Sequence, residues 1–185
     1  MTAVRTLLTA EEFLQMPDPG DGRRYELLDG ALVELTPPGG EHGWIMVNFG
    51  YYLKLYSMSD EGGLVLGGDP GILLRHDPDR VRAPDLCCFR RERIPGGRPP
   101  RGYLEVIPDL VVEVISPGDR AGEIQQKVEE WLAAGVRLVW LAYPVTRTVI
   151  VYDGSSAARI LREGDVLEGG DVLPGFSCEV SLLFS

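Results

Sequence analysis

Two rhythms of apolar positions run through the chain. From 41 to 58, Trp44, Ile45, Val47, Tyr52, Leu55 and Tyr56 return at helical intervals, which predicts a long, mostly buried helix. A second helical pattern covers 120–134 and ends at Gly135, a residue suited to a C-terminal stop. Thr9-Ala-Glu-Glu12 is a capping box, so a short helix starts there and stops before Pro17. Between these lie short apolar runs bounded by Gly, Pro and Asp. Leu64-Val-Leu66, Gly71-Ile-Leu-Leu74, Ala83-Pro-Asp-Leu-Cys-Cys-Phe89, Leu110-Val-Val-Glu-Val-Ile115, residues 136–143 and residues 147–152 predict strands.

The connections carry their own signals. Asp29-Gly30 joins Arg24-Tyr-Glu-Leu-Leu28 to Ala31-Leu-Val-Glu-Leu35 and predicts a hairpin with a primed turn. Asp18-Pro-Gly-Asp-Gly22 predicts a loop, Asp77-Pro-Asp79 a turn, and 90–104 a polar excursion rich in Gly and Pro. The tail, with turns at Gly164-Asp165, Gly169-Gly-Asp171 and Leu173-Pro-Gly-Phe176, leaves room for one or two further strands. The strand–helix–strand step over 109–143 is a parallel crossover. The fold class is therefore α/β, with a central mixed β-sheet flanked by helices. With 185 residues and neither repeat nor linker, the expectation is a single domain over 1–185.

Composition narrows the class. Hydrophobic and charged fractions of 44% and 25% are those of a soluble globular protein. The net charge of -10 argues against nucleic-acid binding through overall charge. Its distribution is uneven: residues 75–101 hold eight arginines against four acids, a local +4, so the remainder carries -14. Arg90, Arg91, Arg93, Arg98 and Arg101 fall in the excursion between two acid-bearing strands, which places them near any site those acids form. Their guanidinium forks suit phosphate oxygens; an ordinary solvated loop is the equal alternative. Three cysteines, two of them adjacent, make neither a disulfide framework nor a zinc motif and fit a reducing cytoplasm. There is no apolar run of ~20 residues and no signal-peptide pattern, so no membrane partner is expected.

Candidate chemistry centres on two acids. Glu113 lies within Leu110-Val-Val-Glu-Val-Ile115, and Asp85 within the run ending at Phe89. A carboxylate in a buried strand is costly unless something pairs with it. Two of them 28 residues apart suggest a shared divalent cation. On the helix after Glu113, the face Ile124, Val128, Trp131, Leu132 and Gly135 turns inward. Lys127 and Gln125 lie at its two edges, and Glu123, Gln126, Glu129 and Glu130 point away. An edge lysine either sends its ammonium to the neighbouring strand end or pairs with an acid one turn away. Asp109 shares the face of Glu113 but sits about 13 Å back, as a strand-start residue. His42 is a cap or packing residue at a helix start, and His76 and Asp69 belong to turns.

Tyr25-Glu-Leu-Leu-Asp-Gly30, Ala83-Pro-Asp85, Pro108-Asp-Leu-Val-Val-Glu-Val-Ile-Ser-Pro117, residues 127–135 and Leu173-Pro-Gly-Phe176 occur in an order and spacing that resembles the PD-(D/E)XK nuclease superfamily. Within it, the chain is most similar to the Uma-type bacterial family of restriction-endonuclease-like proteins. The resemblance implies a restriction-endonuclease-like core and a metal-dependent endonuclease that hydrolyses DNA phosphodiester bonds. It makes Asp85 the motif aspartate and Glu113 the acid of the (D/E)XK element. Ile115 stands where that element has lysine, and it cannot replace one. In this branch the lysine moves to the following helix, which implies Lys127, with Gln125 as its companion. Glu26 matches an extra acidic position, and His42 a histidine bonded to an acidic ligand. The implied cofactor is Mg²⁺ or Mn²⁺, held by Asp85, Glu113, the Val114 carbonyl and, for a second ion or a metal-bound water, Glu26. Lys127 would orient water and offset developing charge. A catalytically silent fold member that binds protein or nucleic acid is the alternative, and a hydrolase of another phosphate ester a third reading. Related folds pair, implying a homodimer; the 44–56 helix is either a pairing surface or core.

Overall fold

The computed structural model describes residues 7–17, 20, 23–155 and 157–185. The predicted 18–22 loop lies outside the described residues except for Gly20. Helix α1 (Ala10–Gln15) starts on the predicted capping box: the Thr9 hydroxyl accepts from the Glu12 N–H, and the Glu12 carboxylate accepts from the Thr9 N–H. Strands β1 (Arg24–Leu28) and β2 (Ala31–Leu35) form the predicted hairpin. Asp29 and Gly30 take φ of 52° and 73°, as a primed turn demands. Helix α2 (Gly40–Ser57) follows. Then come β3 (Leu64–Gly67), β4 (Ile72–Arg75), β5 (Arg80–Arg82) and β6 (Leu86–Phe89). Two single 3₁₀ turns, Arg91–Arg93 and Pro95–Gly97, punctuate the excursion. After it run β7 (Leu110–Val114), α3 (Ala121–Ala134), β8 (Leu138–Tyr143), β9 (Thr148–Tyr152), β10 (Arg159–Leu161), β11 (Val166–Glu168), β12 (Ser177–Glu179) and α4 (Val180–Leu183).

Among the described residues the central sheet has the order β10-β9-β8-β7-β6-β3. Only β7 and β8 pair in parallel, across the α3 crossover; the other neighbours are antiparallel. This is the mixed sheet the sequence predicts. A second sheet, β2-β1-β5-β4, packs with α1 around Leu27, Leu73 and Val81. The alternation along β7 sorts the two main cores. Leu110, Val112 and Val114 join Ile45, Phe49 and Leu53 of α2, while Val111 joins Val128 and Trp131 of α3. Glu113 shares the Val111 face by the two-residue period and so looks toward α3. Leu173 and Phe176 of the Leu173-Pro-Gly-Phe176 phrase are core residues; the Phe176 ring lies 5.3 Å from that of Trp140.

Four expectations need correcting. Strand β5 went unread because Arg80-Val-Arg82 holds one apolar residue, too few for a pattern. Asp85 precedes β6 rather than lying on it. The tail forms β10, β11 and β12 and ends in α4, more than one or two strands. Helix α2 is not mostly buried: Ile45, Phe49 and Leu53 are, but Trp44, Val47, Tyr51 and Leu55 are exposed, as is Met58 at its C-cap. Among the described residues no helix is long and apolar enough to cross a membrane.

Candidate active site

The register of β6 against β7 decides which side chains meet. Leu86 pairs with Val112, running antiparallel. Asp85, one residue before β6, therefore comes alongside the end of β7, and its Oδ2 accepts the Val114 N–H at 2.6 Å. From the other side, α2 delivers His42, whose Nε2 lies 3.2 Å from the same oxygen. Its imidazole pKa is raised by the hydrogen bond to Asp85, against the opposing effect of burial.

Glu113 is reached from α3. Lys127 and Trp131 are four residues apart, so both project from one helix face. Lys127 Nζ donates to Glu113 Oε2 at 2.9 Å, and Trp131 Nε1–H donates to Oε1 at 3.0 Å. Lys127 thus turns to the strand, not to Glu123 or Glu130. Burial pushes the Glu113 carboxyl up to about 7, although the Lys127 charge works the other way. Burial opposes the Lys127 charge in turn, but Glu113 and Glu26 together hold its pKa above the ordinary lysine value.

Glu26, 2% exposed, forms the back of the site. Its Oε1 accepts the Ala83 N–H at 2.9 Å and lies 3.7 Å from Lys127 Nζ. Its Oε2 accepts from Arg82 Nη1 at 2.5 Å. Arg82 also grips Glu130 Oε2 through Nε and Nη2, at 2.8 and 2.6 Å. Arg80 continues the series, 2.6 Å from Glu130 Oε1 and 2.7 Å from Asp29 Oδ2. Charges alternate from Asp29 through Arg80, Glu130, Arg82, Glu26 and Lys127 to Glu113, tying both sheets to α3. Glu130 points inward to these arginines, contrary to the wheel, because β5 supplies cations on that flank.

Asp85, Glu113, Lys127, Glu26 and His42 therefore share one end of the sheet. Gln125 does not join them: it is exposed, and its Nε2 donates to Glu129 Oε1 at 3.0 Å. The arginine excursion leaves from the other end. Phe89 closes β6 and Leu110 opens β7, so their junction lies opposite Asp85 and Glu113. The expectation that all five arginines lie near the acids fails for Arg90, Arg91 and Arg93. Asp109, the strand-start residue, accepts the Arg90 N–H at 2.9 Å and Arg93 Nη1 at 3.0 Å. The Arg90 guanidinium reaches the Asp171 and Val172 carbonyls. Arg91 donates to the Gly62 and Ser59 carbonyls. These three brace the excursion, whereas Arg98 and Arg101 are exposed on it.

Trp131, Arg82 and Glu130 are the site residues the sequence did not disclose as such. Trp131 followed Lys127 by one turn, a usable signal, but its ring read only as core. Arg82 adjoined Ala83-Pro-Asp85 and was hidden with β5.

The donor chemistry suits a hard cation in part. Asp85 and Glu113 are carboxylates of the kind Mg²⁺ or Mn²⁺ takes. Glu26 is gripped by the Arg82 cation and the Ala83 N–H and serves as an anchor; Glu113 also takes one donor on each oxygen, from Lys127 and Trp131, so it meets a cation only through its remaining lone pairs. Among the described residues no three His, Cys, Asp or Glu side chains gather as a ligand set. A set of two carboxylates completed by a backbone carbonyl and waters fits; an all-side-chain cage does not.

A family model, Uma2, described as "Putative restriction endonuclease", matches residues 10–181. No curated protein matches the chain. Among solved structures the chain is similar to a putative nuclease from Anabaena variabilis ATCC 29413, with 20% sequence identity and a TM-score of 0.78. The similarity covers 96% of this chain and 97% of that one. At that identity the likeness is one of fold, and it agrees with the mixed sheet flanked by helices.

Proposed function

The chain belongs to the Uma2 family, described as putative restriction endonucleases, and from that premise we propose that it hydrolyses DNA phosphodiester bonds with Mg²⁺ or Mn²⁺ as cofactor. The observation that carries this reading is the 2.9 Å contact of Lys127 with Glu113 at the strand end beside Asp85. It supports a migrated (D/E)XK lysine on α3, in place of Ile115.

Asp85, Glu113 and the Val114 carbonyl would hold the cation, which when bound lowers the pKa of a coordinated water and offsets phosphate charge. The chain's own residues have separate tasks. Trp131 fixes the rotamer of Glu113 through one oxygen. His42 and the Val114 N–H fix Asp85. Lys127, suspended between Glu113 and Glu26, presents its ammonium where it can orient the attacking water and meet charge growing on a phosphoryl oxygen. Arg82 and the Ala83 N–H hold Glu26 still, so Lys127 has a rigid second anchor. Exposed Arg98 and Arg101 are the members of the excursion available to the phosphate backbone. Three buried, unpaired cysteines support a reducing cytoplasm as the working compartment.

The test is nicking of supercoiled plasmid in Mg²⁺ or Mn²⁺, with Asp85→Ala and Glu113→Ala run beside the wild type. Nicking by the wild type and its loss in both variants supports the reading; equal nicking by all three refutes it. A second reading, a catalytically silent binding module on the same fold, is favoured by the engagement of both Glu113 oxygens. DNA retention with no metal-dependent nicking is its signature.

A further inference from the structure

The register of the central sheet ties four strands into one row. Glu113 pairs with Leu141, Leu141 with Ile150, and Ile150 with Ile160. Paired residues share a face, so the row from β7 to β10 lies on the side that α3 occupies. Helix α3 covers only its near end. Val128 and Trp131 pack with Val139 and Leu141 of β8. Farther out, Thr148 and Ile150 of β9 are half-buried, and Ile160 of β10 is 53% exposed. The far end of the row is a shelf open to solvent.

On that shelf lies a hollow of about 540 Å³, lined by Thr146, Arg147, Thr148, Ile160, Arg162 and Glu163. Ala142 pairs with Val114 and Tyr143 with Thr148, so the hollow opens at the same end of the sheet as the candidate active site. Its donors suit an anion. Glu163 Oε1 takes only Nε of Arg147, at 2.6 Å. Both Nη groups of Arg147 are left without a partner among the described residues. The Arg162 guanidinium has no ion-pair partner among them either, because Asp165 is engaged by the Arg162 N–H at 2.7 Å. The Thr146 and Thr148 hydroxyls bond each other at 2.7 Å; such a pair uses one of its two protons and keeps the other to donate. Arg147 takes φ 50°, a conformation that suits glycine and strains an L-residue. Strained positions cluster where a side chain has a task.

We infer that this hollow is a phosphate subsite for the DNA held at the candidate active site, with Arg147 and Arg162 as its cations. For its ligand the subsite rests on the nuclease reading. Neighbouring strands lie ~4.8 Å apart, so the row from β7 to β10 spans ~14 Å. At ~3.4 Å per base step, a duplex laid along the row from Glu113 meets the arginines about four steps away. Guanidinium forks take phosphate oxygens in pairs. Contacts of that kind set the register of the duplex and carry no sequence information. A chain of net charge -10 repels a polyanion as a whole, so DNA has to be met by local cations such as these.

Fluorescence anisotropy of a short labelled duplex tests the subsite, on the full chain with Ca²⁺ as the divalent ion. Arg147→Gly combined with Arg162→Gln is expected to weaken binding at least ~10-fold at low salt. It should also lower the slope of log K against log salt concentration by about 1.8, the share of two phosphate contacts. The thermal midpoint should not move, since both positions are exposed. Arg159→Gln is the control. Arg159 is on the same strand but pairs with Val151 of the core beneath α2, so it lies on the opposite face. Its loss removes the same charge and should leave affinity and slope unchanged. A double variant that binds as the wild type does, an equal fall in Arg159→Gln, or no wild-type binding at ~100 μM would overturn the inference. Nicking in Mn²⁺ separates it from the reading it rests on. Full affinity in the double variant beside a wild type that nicks removes the subsite and leaves the nuclease reading. The expected loss of affinity beside a wild type that never nicks keeps the subsite and removes the cleavage.

Discussion

Replacing Arg82 by Met tests whether the alternating charges form a brace or are incidental surface pairs. The substitution keeps most of the side-chain volume and removes the guanidinium that joins Glu26 to Glu130. Arg82 is 8% exposed and Glu26 2%, so solvent cannot take its place. Removing one partner of a buried ion pair typically costs ~3–5 kcal/mol. Glu26 keeps the Ala83 N–H and has Lys127 at 3.7 Å, and Glu130 keeps Arg80, so the lower end, about 3 kcal/mol, is expected. For a chain of this size that lowers Tm by roughly 6–12 °C. Denaturant unfolding and calorimetry of wild type, Arg82→Met, Glu26→Gln and the double variant measure both the loss and the coupling. A loss below about 1 kcal/mol with no coupling would place the pair among solvated ion pairs and refute the brace.

Further expectations follow from single contacts. Trp131→Phe keeps an aromatic ring but removes the donor to Glu113 Oε1, so the variant should lose about 1–3 kcal/mol and the Glu113 carboxyl should titrate higher still, read by carboxyl NMR. The Asp79 carboxyl is held below its ordinary pKa chiefly by the Ala10 N–H, which donates to Oδ2 at 2.7 Å. The stability it adds is present above the unfolded value near 3.8 and is lost as pH falls through the folded value, so Asp79→Asn should flatten the acid limb of the stability curve. Gly135 closes α3 at φ 104°, and Gly135→Ala should cost about 1 kcal/mol or more in chemical denaturation. Burial pushes the Cys87 and Cys88 thiols up, and that of Cys178 to about 11. A thiol reagent near neutral pH should therefore react only after unfolding.

What could be read from the sequence followed from local rules. The Thr9 capping box, the Asp29-Gly30 turn and the Gly135 stop each need only a few neighbouring residues, and each is observed. The central sheet was legible because β7 and β8 are near-continuous apolar runs around one amphipathic helix. The acids of the site were legible for the same reason: a charge inside such a run stands out. Strand register was not legible, and it separates Asp85 from the Arg90–Arg93 turn, although only four residues of sequence lie between Asp85 and Arg90. The exposed row on α2 was hidden because its apolar residues were counted together. Trp44 and Ile45 are neighbours in sequence, yet a 100° step sends one to solvent and the other to the core. The role of Arg82 was not legible because it depends on β1 and β5 coming beside α3, a contact between distant segments; that of Trp131 was not because its ring reads as core while its N–H reaches Glu113 on β7.

In the proposed reaction α3 supplies the lysine that the Glu113 strand lacks. That role is tested most directly by the initial rate of Mn²⁺-dependent plasmid nicking by Lys127→Met against the wild type, with folding and Mn²⁺ binding checked on the same samples. The expected result is a fall of about 100-fold or more in a folded variant that still binds the ion. Nicking by that variant at the wild-type rate would contradict it.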